Sequence, residues 1–349
     1  MRPSLRQTVV AVLVIISCAA SLWSQTEKPK EIKIGFSIEN TAGERWQTDL
    51  EQFQQRAHEL GVAVVIRNAY GNDDLQFAQV KDLLNEGIDA LVFLPHDTGK
   101  SARFIDAAHS KNVPVISYDR LASAPLDLYV GFDLFAVGSE QAQSLVDRAP
   151  KGNYFLLGGS LMDSNSKVVR AGQMKVLQPY IDRGDIKIVA DVWVPEWSAT
   201  EAYMLVAQKL KELDSPLTAI VASNDSIAGG AIQALQDKNL SGKVLVTGQD
   251  ADLAAVERLF DETQLMTVYK PVGAEARRAA EAAVQLARHQ DVDGCTIVPH
   301  GDLTTKAILL TPVSVTEENA KSTVLKDGFQ KLESVRQGLS KENQAKLEK

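Results

Sequence analysis

Short apolar runs alternate along the chain with stretches whose apolar residues recur at helical spacing. Residues 32–36 form one such run, and the apolar side chains from Trp46 to Leu60 then follow at intervals of four, three, four and three. This spacing places them on one face of a helix, which Gly61 ends. Residues 62–66 are apolar without a break, which is typical of a strand covered on both faces. The pattern therefore predicts a strand, a helix and a second, buried strand.

The same alternation continues, and it occurs twice. In the first half, strands are predicted at residues 90–94 and 113–117, with a helix through Leu83 that ends at Gly87. A second series follows, with strands predicted at residues 154–157, 186–189, 218–221 and 244–246. Strands separated by helices favour parallel sheets with right-handed crossovers. We therefore predict an α/β fold in which two doubly wound parallel-sheet lobes are joined by a multi-strand hinge.

Domain boundaries are expected where the two series meet. The chain should cross between the lobes near Phe132, Lys270 and Pro299. The predicted segments are a signal peptide at residues 1–24, an N-terminal lobe at 31–132 plus 271–299, a C-terminal lobe at 133–270 plus 300–330, and a charged tail at 331–349. The tail is rich in helix-forming residues, so we expect it to pack on the surface or to fray.

The first residues have the composition of an export signal. Arg2 and Arg6 precede an apolar run at residues 9–16, and small residues follow it. This order is typical of a secretory signal peptide, and the run is too short for a spanning helix. The residues that end at Cys18 also resemble a bacterial lipobox, in which Cys18 would be lipidated. Cleavage near Ser24 without lipidation is the alternative that we favour, and both routes predict a periplasmic protein with no transmembrane span.

Composition limits the partners that the protein can have. Of its 349 residues, 45% are hydrophobic and 23% are charged, which suits two domains with real cores. The net charge of −8, without any basic cluster, argues against nucleic acid and against anionic membrane surfaces. Two cysteines, Cys18 and Cys295, cannot build a Cys-rich zinc site, and the five histidines are scattered. No metal is therefore expected.

Polar side chains follow the predicted strands, where ligands gather in open parallel sheets. The loops concerned are residues 40–46, 118–120, 158–165, 193–197, 223–225, 248–252 and Lys270. They combine carboxylates, guanidinium and amide groups with two tryptophans. A pyranose needs this set, because each hydroxyl both donates and accepts a hydrogen bond while the apolar ring faces lie flat on an indole.

Single residues in these loops also have structural explanations. Asp119 could belong to a surface ion pair with its neighbour, and Asp225 is better explained as a helix N-cap. Asp250 could cap the helix that follows it. Trp46 begins an apolar helical stripe, so packing competes with ligand stacking there, whereas Trp197 stands in a polar loop where stacking is favoured. The shared position of these residues at strand ends is what favours a site.

Motifs that would indicate catalysis or a cofactor are absent from the sequence. It contains no G-x-S-x-G elbow, no Walker loop and no H-E-x-x-H motif. Carboxylates near a sugar would suit a glycosidase, but Arg120 adjoins Asp119 and favours its ionised form over a protonated acid. We therefore predict a binding protein that is not an enzyme and uses no cofactor. A pocket role for His96, at a predicted strand end, stays open.

Longer stretches of the chain resemble one family. The matching stretches are residues 44–47, 118–120, 152–156, 170–177, 222–225, 229–235, 248–253 and 266–271. On these residues the chain resembles the periplasmic D-xylose-binding proteins of ABC transporters, within the ribose-binding and LacI-like superfamily of type I periplasmic binding proteins. The similarity covers residues 33–330. It implies the type I periplasmic binding protein fold and capture of a monosaccharide, with D-xylose favoured.

The resemblance also implies which residues hold the sugar. The binding residues of the family fall here on Arg45, Asp119, Arg120, Asn165, Trp197, Asn224, Asp250 and Lys270, and we add Trp46 as a stacking residue. The acidic pair that the family carries after its first strand is Glu39 and Asn40 in this chain, and its mid-chain Asn pair is Ser164 and Asn165. These departures bear on which pentose is bound.

The mechanism that the resemblance implies is capture without chemistry. Two lobes of a monomer would close over one monosaccharide, and the permease of an ABC transporter would recognise the closed form. The alternative is a sugar sensor that presents its liganded form to a chemoreceptor or a sensor kinase. A transcription regulator with the same lobes would carry a helix-turn-helix where this chain has its export signal.

Overall fold

The computed structural model describes residues 31–42 and 44–348, so the predicted signal peptide and Cys18 lie outside the described residues. From Lys33 onward the chain belongs to one structural unit. Its strands are β1 (Lys33–Ile38), β2 (Ala63–Asn68), β3 (Ala90–Leu94), β4 (Val115–Tyr118), β5 (Leu128–Phe132), β6 (Gly152–Gly158), β7 (Ile186–Trp193), β8 (Ala219–Ala222), β9 (Leu245–Val246), β10 (Thr267–Tyr269), β11 (Thr296–His300), β12 (Leu303–Leu310) and β13 (Val313–Val315). Its helices are α1 (Glu44–Glu59), α2 (Asp73–Asn85), α3 (Ala102–His109), α4 (Leu134–Arg148), α5 (Ser164–Asp182), α6 (Ala199–Glu212), α7 (Asp225–Gln236), α8 (Leu253–Phe260), α9 (Val272–Ala287), α10 (Leu332–Gly338) and α11 (Lys341–Glu348).

The first lobe is built on a sheet in the order β11-β12-β5-β4-β3-β1-β2. All neighbours in it are parallel except β11, which pairs antiparallel with β12. Every residue of β3 and β5 is buried, as their unbroken apolar runs predict for strands covered by helices on both faces. The predicted face of α1 is confirmed, because Trp46, Leu50, Phe53 and Ala57 are all buried.

The second lobe repeats this arrangement. Its parallel sheet has the order β7-β6-β8-β9, and a parallel bridge from Gln249 to Val268 extends it to β10, which pairs antiparallel with β13. In both lobes the first strand lies between the second and the third, which is the doubly wound order. The predicted fold class of two α/β lobes is therefore confirmed.

The third chain crossing lies later than the sequence predicts. β5 ends at Phe132 and Lys270 follows β10, at the two crossings expected. Pro299 instead lies inside β11, and β12 continues in the first sheet beside β5 as far as Leu310. The boundary expected at residue 300 therefore moves past Leu310, after which β13 joins the second lobe. A proline is tolerated in β11 because the strand is at the sheet edge, where no neighbour needs its N–H.

The charged tail expected at residues 331–349 contributes to a core. α10 and α11 bury Val335, Leu339 and Leu347 in one apolar cluster with Phe260 of α8 and Tyr269 of β10. The charged side chains of residues 331–346 stay exposed or half-buried, and the expectation from the sequence was that the segment packs on the surface or frays. The second lobe thus extends to the end of the described chain.

Candidate functional site

Loops from both lobes surround one cavity of about 430 Å³. The loops concerned follow β1, β4, β6, β7, β8, β9 and β10, at the carboxyl ends of strands, as expected for open α/β sheets. All nine residues singled out from the sequence line it, namely Arg45, Trp46, Asp119, Arg120, Asn165, Trp197, Asn224, Asp250 and Lys270. The fold thus brings side chains that are far apart in the chain to one place.

Arg45, in the first turn of α1, is the centre of a buried charge cluster. Its Nη2 atom lies 2.9 Å from Asp119 Oδ2 and 3.0 Å from Glu275 Oε2. Its Nη1 atom lies 3.9 Å from Oδ1 of Asp250, which belongs to the second lobe. Burial lowers the pKa of the guanidinium, but the surrounding carboxylates outweigh it and hold the pKa well above its ordinary value. Arg45 is therefore a permanent cation between the lobes.

Asp119 is kept ionised by the cations around it. Burial raises the pKa of its carboxyl group, yet Arg45, Lys270 and Arg120 together bring the pKa below its ordinary value. From the other lobe, Asn165 Nδ2 donates a hydrogen bond to Asp119 Oδ1 at 3.1 Å. The Asp119 backbone has φ 59°, a conformation that costs free energy in a residue with a side chain. Asp119 thus offers an ionised acceptor to the cavity and is not a surface ion pair.

Arg120 also bridges the two lobes at the cavity. Its Nη1 atom donates to the carbonyl oxygen of Pro95 at 3.0 Å, which fixes the side chain. Its Nε atom lies 2.9 Å from Asp163 Oδ2 of the second lobe, and its Nη2 atom lies 3.3 Å from Glu39 Oε1. Burial raises the pKa of Asp163, although Arg120 acts in the opposite direction.

Asp250 and Lys270 form the wall supplied by the second lobe. Lys270 Nζ lies 3.0 Å from Asp250 Oδ1. Asp250 has φ 102° and is followed by Ala251 at φ 56°, so two residues that carry a Cβ adopt the left-handed region in succession. The residue that precedes α8 is Asp252, so Asp250 does not cap that helix. Its carboxylate is left to face the cavity.

The cap at the start of α7 differs from the expectation. Asn224 is the N-cap, and its Oδ1 atom accepts a hydrogen bond from the Ile227 N–H at 3.0 Å. Asp225, which the sequence favoured for this role, is the first helical residue and is buried. Its carboxylate accepts from Gln264 Nε2 at 2.7 Å and from Thr267 Oγ1 at 2.8 Å. Asp225 therefore ties α7 to β10 and to the segment that precedes it, and is not among the residues that line the cavity.

The two tryptophans are held differently. The ring of Trp46 lies beneath Arg45, whose guanidinium carbon is 4.2 Å from the ring centroid, so packing and exposure to the cavity coexist at this residue. Trp197 lies in a 3-10 turn with φ 55°. Its ring packs so closely on Gly159 that a Cβ there would overlap it. Trp197 therefore presents an indole whose position depends on a glycine in a neighbouring loop.

Sequence reasoning missed several residues of the site. Lining residues that were not singled out are Glu39, Asn40, Ala42, Asp163, Glu196, Ser226, Gln249 and Asp252. Beneath the cavity, Asp49 accepts a hydrogen bond from the Tyr118 hydroxyl, and burial raises the pKa of both Asp49 and Glu275. Asp49 could have been found from its position one helical turn after Arg45. Glu275 lies on α9, far along the chain, and nothing in the local pattern indicates it.

The lobes also contact each other beside the cavity. Thr98 of the first lobe donates its backbone N–H to the Met162 carbonyl at 3.2 Å. Ser164 Oγ of the second lobe donates to the Leu121 carbonyl at 3.1 Å. Together with the ion pairs across the cleft, these bonds describe a closed arrangement of the two lobes.

Two kinds of feature are missing from residues 31–42 and 44–348. No helix there has both the length and the apolar composition needed to cross a membrane. Nor do three or more His, Cys, Asp or Glu side chains cluster there so that they could hold a metal ion.

Comparison with known proteins identifies similar chains. Residues 34–291 match the model of the periplasmic binding protein domain. The chain is 43% identical to the D-xylose-binding periplasmic protein of Escherichia coli K12 over 92% of its own length and 97% of that protein. It is 42% identical to the protein of the same name from Haemophilus influenzae Rd, over 94% of this chain and 99% of the relative.

A solved structure of similar sequence has the same fold. It is a carbohydrate transporter solute-binding protein from Chloroflexus aurantiacus in complex with D-glucose. It superposes with a TM-score of 0.83 at 29% identity, covering 87% of this chain and 98% of the other.

Proposed function

Since the chain belongs to the family of periplasmic binding proteins, we propose that it captures D-xylose between its two lobes and delivers it to the permease of an ABC transporter. The observation that carries this proposal is the convergence of charged, amide and indole side chains from both lobes on one cavity. The sugar identity is supported by the two relatives above 40% identity, both named as D-xylose-binding proteins.

The charge cluster suits a polyol that must bridge the lobes. Each sugar hydroxyl can donate to Asp119 or Asp250 and accept from Lys270, and hydrogen bonds to ionised groups contribute about 1.5–3 kcal/mol each. Asp119 belongs to the first lobe, while Asp250 and Lys270 come from the second. A ligand that bonds to both sides therefore favours the closed form over the open one.

The indoles of Trp46 and Trp197 supply the apolar part of the site. The C–H faces of a pyranose ring are apolar and pack on aromatic faces. Trp46 comes from the first lobe and Trp197 from the second, so a sugar can pack on both rings only when the lobes are closed.

Transport without catalysis is part of the proposal. The ionised state of Asp119 opposes a role as the protonated acid that a glycosidase needs. The relatives are named as binding proteins, so this chain is proposed to release its sugar unchanged. The signal peptide at residues 1–24, the periplasmic location, the monomeric state and lipidation at Cys18 stay predictions. No observation favours the sensor alternative over delivery to a permease.

A calorimetric titration of the purified protein tests the proposal. D-xylose, L-arabinose, D-ribose and D-glucose are titrated in turn under identical conditions. We expect D-xylose to bind at one site with a dissociation constant of about 1 μM, which corresponds to about −8 kcal/mol. The other three sugars should bind at least about tenfold more weakly, a difference of about 1.4 kcal/mol. Tighter binding of another sugar would reassign the ligand, and saturating heats from none would contradict the proposal.

A further inference from the structure

A side-chain contact between ionisable groups across the cleft, apart from the backbone contacts above, lies outside the nine predicted site residues. His96 follows β3 in the first lobe, and its ring lies between two carboxylates. Its Nε2 atom is 3.2 Å from Glu196 Oε2 of the second lobe, and its Nδ1 atom is 3.3 Å from Asp73 Oδ1 of its own lobe. The contact closes the cleft beside Trp197, since Glu196 immediately precedes that residue.

The position of this contact ties it to the binding cavity. A small side cavity of about 60 Å³ adjoins the main one and is lined by His96, Glu196 and Trp197. Glu196 and Trp197 have φ 52° and φ 55°, so the turn that carries the indole is in an unfavourable backbone conformation. A bond from the opposite lobe to Glu196 therefore restrains the turn at the residue next to the indole.

The protonation state of His96 decides how many of its two bonds can form. Ionised carboxylates only accept hydrogen bonds, and neutral imidazole has a single N–H. A neutral ring can therefore satisfy Asp73 or Glu196 but not both. Imidazolium donates from both nitrogens, so only the protonated ring bonds to both carboxylates at once.

The groups around the ring keep Asp73 ionised and do not replace the ring. Burial raises the pKa of Asp73, but its bond from Lys100 at 2.9 Å and the neighbouring His96 bring the pKa below its ordinary value. The other charged side chains that face this region are Asp97 and Arg103 from the first lobe, and Glu39, Arg120 and Asp163 in the side cavity. Arg120 is already paired with Glu39 and Asp163.

We propose that His96 is a positioning residue for sugar binding, which in its protonated form joins the lobes through Glu196 and thereby holds Trp197 against the bound sugar. The bond to Glu196 exists only in the closed form, so the protonated ring can bond to both carboxylates only when the lobes are closed. This inference rests on the proposed function, because it needs a sugar that stabilises closure. The contribution of the two bonds together is present when the ring is protonated and is lost when the ring is neutral.

The inference is tested by measuring the sugar affinity at two pH values, together with the number of protons that the protein takes up when the sugar binds. Calorimetric titrations with D-xylose are run at about pH 6 and about pH 8, which bracket the titration range of histidine. At an intermediate pH, buffers of different ionisation heat give the number of protons taken up. The wild type should take up a fraction of a proton and bind about threefold more tightly at the lower pH, the scale of one partly exposed ion pair.

Two variants test whether the pH dependence of sugar affinity arises from the contact between His96 and Glu196, and a third variant is the control. His96→Gln and Glu196→Gln should each lose the proton uptake and the affinity difference between the two pH values. His109→Gln is the matched control, because His109 also pairs with a carboxylate, Asp127, at 2.9 Å, but within the first lobe. It should behave as the wild type.

The outcomes separate the two proposals. If the wild type binds no sugar, the proposed function fails. If D-xylose binds but proton uptake is absent, or persists unchanged in His96→Gln, the proposed function stands and the role of His96 is refuted. Equal thermal unfolding midpoints of the ligand-free variants and the wild type show that any loss arises at closure and not in the fold.

Discussion

At the scale of single residues, the cleft concentrates unfavourable backbone conformations in residues with side chains. Five residues at or beside the cavity have positive φ, namely Asp119, Glu196, Trp197, Asp250 and Ala251. Each costs of order 1–3 kcal/mol and persists only when its surroundings hold it. The φ of 102° at Asp250 leaves its carboxylate 3.0 Å from Lys270 Nζ. These backbone conformations lower the free energy of unfolding, and they place side chains such as that of Asp250 at the cavity.

Removing the charge of Asp250 should weaken sugar binding strongly. Asp250→Asn keeps the shape but removes the nearest ionised partner of Lys270 Nζ in a buried site, and leaves Asp119 Oδ2 at 3.9 Å. We expect D-xylose affinity to fall by about 2 kcal/mol, or about thirtyfold, as measured by calorimetry. Asp182→Asn, at an exposed position on α5, is the control and should leave affinity unchanged. Equal affinities of the Asp250→Asn variant and the wild type would remove Asp250 from the site.

A half-buried carboxyl group on α4 makes stability depend on pH. Burial, and then the neighbouring Asp133, raise the pKa of Glu140 from 4.5 to about 7, and its Oε2 atom has no hydrogen-bond partner in the part of the chain that the structure describes. The folded protein therefore binds this proton more tightly than the unfolded chain. The resulting stability is present below about pH 4.5 and is lost as the pH rises to about 7.

Replacing this carboxyl group with an amide should raise stability at alkaline pH. We expect Glu140→Gln to increase the free energy of unfolding by about 1 kcal/mol at pH 8, with a smaller difference at pH 5, as measured by urea denaturation. The exposed Glu333→Gln substitution on α10 should show no such dependence. A variant that is less stable than the wild type at alkaline pH would contradict the assignment.

At the scale of elements, local pattern predicted where helices and strands lie, and tertiary pairing decided their partners. The apolar stripe of α1 and the buried run of β3 follow directly from residue spacing. β11 was missed because Pro299 interrupts its pattern, and only its pairing with β12 defines it as a strand. The crossing near Leu310 was misplaced for the same reason.

Glycines set the close packing of α4 on α5. A Cβ added at Gly172 would lie 2.9 Å from the backbone nitrogen of Ser139 and closer still to the Phe135 carbonyl oxygen. Backbone atoms cannot move aside as a flexible side chain can, so Gly172→Ala should lower the free energy of unfolding by about 3 kcal/mol in urea denaturation. Gly273→Ala on α9 is the control, since its Cβ would lie an ordinary 3.5 Å from Gln52 Cγ. Similar unfolding midpoints for the two variants would contradict this packing argument.

At the scale of the whole molecule, the site depends on contacts that no local pattern contains. The sequence predicted that polar loops of both lobes converge, and all nine residues do line one cavity. It did not predict that Glu275 lies 3.0 Å from Arg45, or that Glu196 reaches His96 across the cleft. Such pairs join residues far apart in the chain, and only the relative position of the folded lobes determines them.

A crystal structure of the protein grown with saturating D-xylose is the most direct test of capture between the lobes. We expect density for one pyranose in the cavity, with its hydroxyls hydrogen-bonded to Asp119 of the first lobe and to Asp250 and Lys270 of the second. Density for the sugar at another place, or a sugar bonded to one lobe alone, would contradict the account.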